Sequence, residues 1–349
     1  MIVGAALTET FEHWLLPSPG LVPRGSKAIG EEELQRIEAT SAALRHWDDR
    51  WRLGIRRKAV LGQLAEVSEI AEEVRSPTDQ ARLFLVMGEL SKISGAMAYD
   101  EGEHSAAQKY YTLSLRAFHQ AGPEHRLYGV GVLADLARQM LDLQRPQEAL
   151  ELSRIALDSA QAHETPPSVL SMLRTREGWC YAQMGRAKSY HRSVSQAEEL
   201  IGSGNGRDVP EWACGFDHAE LAGVVGARYR DLAAIEKDPS IRRKQAERSA
   251  GYISRALELR PSSKVRNRAF DLIGLGRTYL VLGEPVEAAR VVGEAASLES
   301  RLGSGRVRRR LGDWYAEAAA YNRTSSVAQL REQVSHTLLR ESSNTEERA

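Results

Sequence analysis

Apolar residues recur along most of this chain three and four positions apart, and short polar breaks separate the runs. That period belongs to amphipathic helices. Leu34, Ile37, Leu44 and Trp47 predict a helix over 31–49, with acidic residues crowding its start. Val60, Leu61, Leu64, Val67, Ile70 and Ala71 predict a second over 58–74, after a break at WRLGIRR (51–57). Paired runs follow over 81–120, 127–162, 168–201, 211–261 and 265–298, and a last pair over 307–321 and 327–340. AGPEH, ETPP, GSGNGRDVP and the proline of RALELRP punctuate them with glycine and proline. The most regular stretch is Phe270 to Leu298, which reads as a helix, a tight turn at Gly283 and a second helix. Two antiparallel helices on so short a turn need small residues where their backbones meet, and a glycine can supply the positive φ that ends the first.

The same spacing recurs upstream. Gly276 to Gly283 is seven residues and Gly276 to Ala288 is twelve; Gly95, Gly102 and Ala107 repeat both intervals. Ala137 and Ala149 repeat the twelve, with Gln144 in place of the turn glycine. Gly178 and Gly185 repeat the seven, with Tyr181 matching Tyr279, and Gly226, Tyr229 and Ala233 begin another copy. The anchors at 95, 137, 178, 226 and 276 lie 42, 41, 48 and 50 residues apart. These hairpins resemble tetratricopeptide (TPR) repeats, whose usual period is roughly 34 residues. The resemblance implies an all-α, right-handed superhelical solenoid of helical hairpins sharing one core. The expected segments are an N-terminal connector (1–28), an atypical hairpin (29–80), TPR-like repeats (81–300), a capping hairpin (301–340) and a disordered tail (341–349).

Composition narrows the function. Lys plus Arg and Asp plus Glu are 47 each, so no global charge favours nucleic acid or a membrane. No apolar run reaches the ~18 residues a membrane span needs. Ile2 to Leu7 has no basic segment before it, so a signal peptide is not expected. Two cysteines, Cys180 and Cys214, build no disulfide framework, which suits a cytoplasmic protein. Residues 21–26 read LVPRGS, a thrombin-recognition hexapeptide, and carry no fold inference.

Three stretches look alike to a known group. WACGFDHAELAGVVGARYRDL (212–232), GEPVEAARVVGEAASL with the following SRLGSGRVRRRL, and IEATSAALRHWDDRWRLG resemble the TPR sensor region of actinobacterial Xre-type transcriptional regulators. The likeness covers about residues 29–340. It implies a regulatory, non-enzymatic role, with a helix-turn-helix domain that usually precedes such a region and VGAALT as the connector after it. No helix-turn-helix is read in this chain, so DNA would be reached only through a domain outside it.

The chemistry-bearing candidates each have a plainer reading. GSGNG (202–206) lacks the spacing of a phosphate loop and follows no strand. His218 and Glu220 stand two apart on a helix and cannot readily share a metal. No HExxH or CxxC occurs, so neither metal nor cofactor is expected. Cys180 reads as a buried structural thiol. The basic clusters IRRK (241–244) and RVRRR (306–310) read as solvated helix faces. Function is better placed on the first helix of each hairpin, which lines the concave groove of a TPR array. Matching positions are Lys92, Tyr99, Arg138, Arg176, Trp179, Glu220, Arg230 and Arg277. These would clamp a peptide, a protein or a small signal molecule through bidentate arginine contacts, or else pair with Asp135, Asp142 and Glu220 as a structural network. A homodimer is expected, through Trp314 and Tyr315 or through Trp14, Leu15 and Leu16. A stand-alone TPR adaptor for another protein is the alternative.

Overall fold

The computed structural model describes residues 26–46, 53–161, 164–203, 209–302 and 304–346. The connector up to Gly25, with most of LVPRGS and with Trp14, Leu15 and Leu16, lies outside the described residues, as do Trp47 and most of GSGNG. The described residues are all-α, apart from one isolated bridge between Lys27 and Val74. They form α1 (Glu31–His46), α2 (Leu53–Glu73), α3 (Pro77–Asp100), α4 (His104–Ala121), α5 (Arg126–Asp142), α6 (Pro146–Gln161) and α7 (Pro167–Gln183). Then come α8 (Ala187–Gly202), α9 (His218–Ile235), α10 (Pro239–Leu259), α11 (Val265–Leu282), α12 (Pro285–Leu302), α13 (Gly305–Glu317) and α14 (Ser325–Glu346). No helix among the described residues is long and apolar enough to cross a membrane.

The helix boundaries depart from the periodic pattern at four places, and capping chemistry sets two of them. α2 begins at Leu53, inside the stretch predicted as a break. α3 begins at Pro77 rather than Ala81, because the Ser76 side chain accepts from Asp79 N and proline is favoured at the first position. The fourth pair opens not at Glu211 but at His218, where Asp217 Oδ1 accepts from Glu220 N at 2.8 Å. The last helix runs on to Glu346, past the Arg340 at which the apolar pattern stops.

Contacts divide the chain into two compact units. The first comprises residues up to Cys180 together with 207–213, and the second comprises 181–206 and 214 onward. In the first, Leu34, Ile37, Val60, Leu64, Val67, Leu83, Val86 and Leu90 form one core shared by α1, α2 and α3. In the second, Leu272, Ile273, Val291, Val292, Leu311, Trp314, Val327 and Val334 form a core through α11 to α14. Trp314 is fully buried there, so it presents no surface for self-association.

The turns carry the repeat most clearly. Gly102, Gln144, Gly185 and Gly283 all hold positive φ, at 83°, 59°, 69° and 79°. After each, the same two bonds close the helix. Glu103 N donates to Ala98 O, Arg145 N to Met140 O, Arg186 N to Tyr181 O and Glu284 N to Tyr279 O, all at 2.8–2.9 Å. The turn residue itself donates to the carbonyl three back at 3.0–3.1 Å. This is the paired-bond ending of a helix that needs a left-handed residue. Gln144 is the one non-glycine with positive φ among the described residues. Gln144→Gly is therefore expected to stabilise the chain by about 0.5–1 kcal/mol, relief of left-handed strain outweighing the added freedom of the unfolded chain. Gly283→Ala is expected to destabilise it by about 1 kcal/mol through φ alone, since no atom stands within 4 Å of the added carbon. Urea midpoints of the two variants check both signs.

Candidate functional site

The eight positions expected on the first-helix face are all engaged by neighbouring side chains. In the first unit, Lys92 on α3 and Asp135 on α5 stand 3.6 Å apart, and the Lys92 ammonium lies 4.6 Å from the centre of the Trp212 ring. Burial holds the Lys92 pKa below its ordinary value, against the pull of Asp135. Tyr99 donates its hydroxyl to Asp142, and the Arg138 guanidinium lies 4.9 Å from the Tyr99 ring centre. The fold thus gathers Lys92, Tyr99 and Arg138 around α3 and α5. Arg176 and Trp179, one turn apart on α7, stack at 5.9 Å.

In the second unit the arginines meet acids, Arg228 and Arg230 on their own helix and Arg277 on a later first helix. Arg230 holds Asp231 at 2.6 Å, and Arg228 approaches the same carboxylate at 3.3 Å. Burial alone would raise the Asp231 pKa, but Arg228 and Arg230 overcome it and lower it to about 2. Arg277 on α11 donates to Asp313 at 3.1 Å and to Glu317, both on α13. Glu220 lies ten residues from Arg230 on α9, about 15 Å along the helix, and belongs to a different group. It accepts from Arg260 at 3.0 Å and from Asn267 at 3.1 Å. The arginine clamp and the ionic network are therefore the same residues, with partners partly different from those expected: Asp135 serves Lys92, and Asp142 serves a tyrosine.

Arg260 is the polar residue that the sequence pattern overlooks. It follows the last helical residue of α10, where RALELRP signals only a helix stop. Its side chain is 4 % exposed, and it donates to Asp271 Oδ2 at 2.6 Å and to Ala219 O at 3.3 Å besides Glu220. Burial pushes the Asp271 carboxyl from its ordinary 3.8 up to about 7, although Arg260 pulls the other way. The folded chain thus keeps this proton to higher pH than the unfolded chain. The stability contributed by this group is complete below about pH 4 and is lost as pH rises towards 7. Wild type and Asp271→Asn, compared by denaturant midpoint from pH 4 to 8, should differ most steeply within that window. A constant difference would mean that Asp271 titrates as an ordinary aspartate.

Other candidates resolve more simply. Burial pushes the Cys180 thiol up to about 12, and its sulfur faces Arg176 O at 3.2 Å, which fits a structural cysteine. Cys214 is exposed. In the basic clusters, Arg243 pairs with Glu247 at 2.9 Å, Arg308 with Glu299 at 2.7 Å and Arg310 with Asp313 at 3.7 Å. Among the described residues no group of His, Cys, Asp and Glu is placed to hold a metal ion.

The first unit also contains a cleft of about 250 Å³ lined by Glu89, Lys92, Ile93, Ala96, Phe118, Tyr128 and Trp212. Trp212 reaches it from a one-turn 3-10 helix, Glu211–Ala213, which Ala213 N closes by donating to Pro210 O at 2.8 Å. Gly131 on α5 makes room for this arrangement. A carbon added there would lie 2.8 Å from the Trp212 ring and 2.9 Å from Lys92 Nζ. Sequence spacing points to neither Trp212 nor Gly131, because both lie outside the repeat positions.

No protein-family model matches this chain, and no curated protein matches it. Among solved structures it is similar to BtubC (BKLC) from P. vanneervenii, at 14 % identity and a TM-score of 0.47, over 72 % of this chain and 93 % of that one.

Proposed function

We propose that this chain is a non-enzymatic regulatory protein, a right-handed TPR superhelix that takes a peptide, protein or small signal molecule on the face lined by the first helices of its hairpins. The observation that carries the reading is the burial of charge on that face. Lys92, Arg230 and Arg277 are withdrawn from water at 18 %, 8 % and 14 % exposure, on α3, α9 and α11. Buried ion pairs contribute little net stability compared with apolar residues of the same size. Charges kept in such places have a use in recognition, where bidentate donors meet carboxylate or phosphate. The four turns closed by the same pair of backbone bonds support the repeat architecture.

The resemblance to Xre-type sensor regions supplies the setting: a cytoplasmic homodimer that reaches DNA through a helix-turn-helix domain outside this chain. A ligand that binds one arrangement of the hairpins better than another shifts the population towards it. A stand-alone TPR adaptor is the second reading. Ile235, Ile241 and Val286, exposed near the hairpin turns of the second unit, favour it as surface for another protein. Native mass spectrometry of the purified chain, read beside its denatured mass, tests the choice. A dimer carrying extra mass is the expected result for the sensor. A bare monomer points to the adaptor, and turnover of a retained metabolite would overturn the non-enzymatic reading.

A further inference from the structure

We propose that the cleft of the first unit binds a free aromatic α-amino acid. Its ring would lie among Phe118, Tyr128 and Trp212, its carboxylate on Lys92 and its ammonium on Glu89. The inference rests on the ligand-binding reading above and names the ligand class for one site within it.

Three features of the cleft select this chemistry. Its walls are mostly apolar, and its three aromatic side chains come from three elements: α4, α5 and the turn at 211–213. Phe118 and Tyr128 already stand in ring contact at 5.3 Å. Such walls hold a flat ring and reward offset or edge-on stacking. The volume is sufficient: a dry cavity of about 150 Å³ holds benzene, and this cleft measures about 250 Å³.

The polar lining then sets the ligand's charges. Glu89 and Lys92 lie three residues apart on one face of α3, and both line the cleft. One is an acid and the other a base, so a singly charged ring compound would meet one like charge. A zwitterion meets two opposite ones. Lys92 has donors to spare. An ammonium carries three N–H groups, and Asp135, 3.6 Å away, engages at most one of them. The Trp212 face at 4.6 Å steadies the cation without using an N–H.

Calorimetric titration of the whole chain with L-phenylalanine, L-tyrosine and L-tryptophan tests the assignment. Phenethylamine, 3-phenylpropionate, N-acetyl-L-phenylalanine and L-leucine are the comparison compounds. At least one aromatic amino acid should bind with a Kd of about 1 mM or tighter, and about tenfold better than each comparison compound. Lys92→Met should erase the advantage over phenethylamine, and Glu89→Gln the advantage over 3-phenylpropionate. Ala96→Phe, which fills the cleft, should remove binding altogether. Helix content and thermal midpoint verify that each variant folds, and the compound series on wild type needs no variant. Absence of binding by all three amino acids overturns the proposal. So does binding of N-acetyl-L-phenylalanine equal to that of phenylalanine, which would point to a peptide terminus, and so does binding that survives Ala96→Phe. A ligand retained in native mass spectrometry and still bound by the Ala96→Phe chain would leave the regulatory reading standing and overturn only this cleft.

Discussion

Arg260→Met is expected to cost the second unit about 3–5 kcal/mol. The guanidinium is 4 % exposed, and it is shared by Asp271, which is 8 % exposed, and by Glu220. Removing it leaves the Asp271 carboxyl buried without its cation, while the Ala219 carbonyl keeps the bond of its own helix. Glu220 loses less, since its side chain is 30 % exposed and water can take over. Asp271 escapes part of the penalty by taking up a proton, as a group already pushed up to about 7 does readily. The cost should therefore be larger at pH 8 than at pH 5. Adding Asp271→Leu to the Met variant should restore more than half of the loss, because an ion pair replaced on both sides by apolar groups is often nearly neutral. Urea unfolding of the single and double variants measures both quantities. A loss below about 1 kcal/mol in the single variant would show that the guanidinium is solvated and weakly coupled.

Gly276→Ala is expected to cost about 1–3 kcal/mol, more than Gly283→Ala seven residues later. The two glycines do different work. Gly283 serves through its left-handed φ and has open space around it. Gly276 serves through its missing side chain. An added carbon would stand 2.2 Å from Val292 Cγ2 and 3.1 Å from the Ala288 carbonyl oxygen. The valine can turn, but the carbonyl belongs to the α12 backbone, so the two helices must separate. Gly226 has the same design, with Ile253 N at 3.0 Å and Ser249 O at 3.1 Å. Gly226→Ala should therefore show a similar loss. Thermal midpoints of the three alanine variants test the order, and a Gly276→Ala chain as stable as Gly283→Ala would rule out backbone approach as the reason for glycine there.

The repeat was legible because its turns and close contacts are local. A seven-residue interval from packing glycine to turn glycine places both on one helix, and twelve residues carry the chain to the facing helix. Even Gln144 could be assigned its turn position by counting, and its positive φ follows from that position. The site was legible only in part. Lys92, Arg138, Arg230 and Arg277 could be placed on the first helices of their hairpins from their register. Their partners could not, since Asp313 and Glu317 reach Arg277 from 36 and 40 residues away. Trp212 and Arg260 carry no periodic signal at all, as one lies in a loop and the other at a helix end.

Sequence by itself determined the helices, their order and the turn chemistry between them, because each depends on residues within about one helical turn. It determined also which helix faces would be apolar. Tertiary structure decided which charges meet, which of them lose water, and that a loop tryptophan and a glycine on α5 shape the cleft beside Lys92. Those outcomes depend on side chains distant in the chain, and on the burial that only their meeting creates.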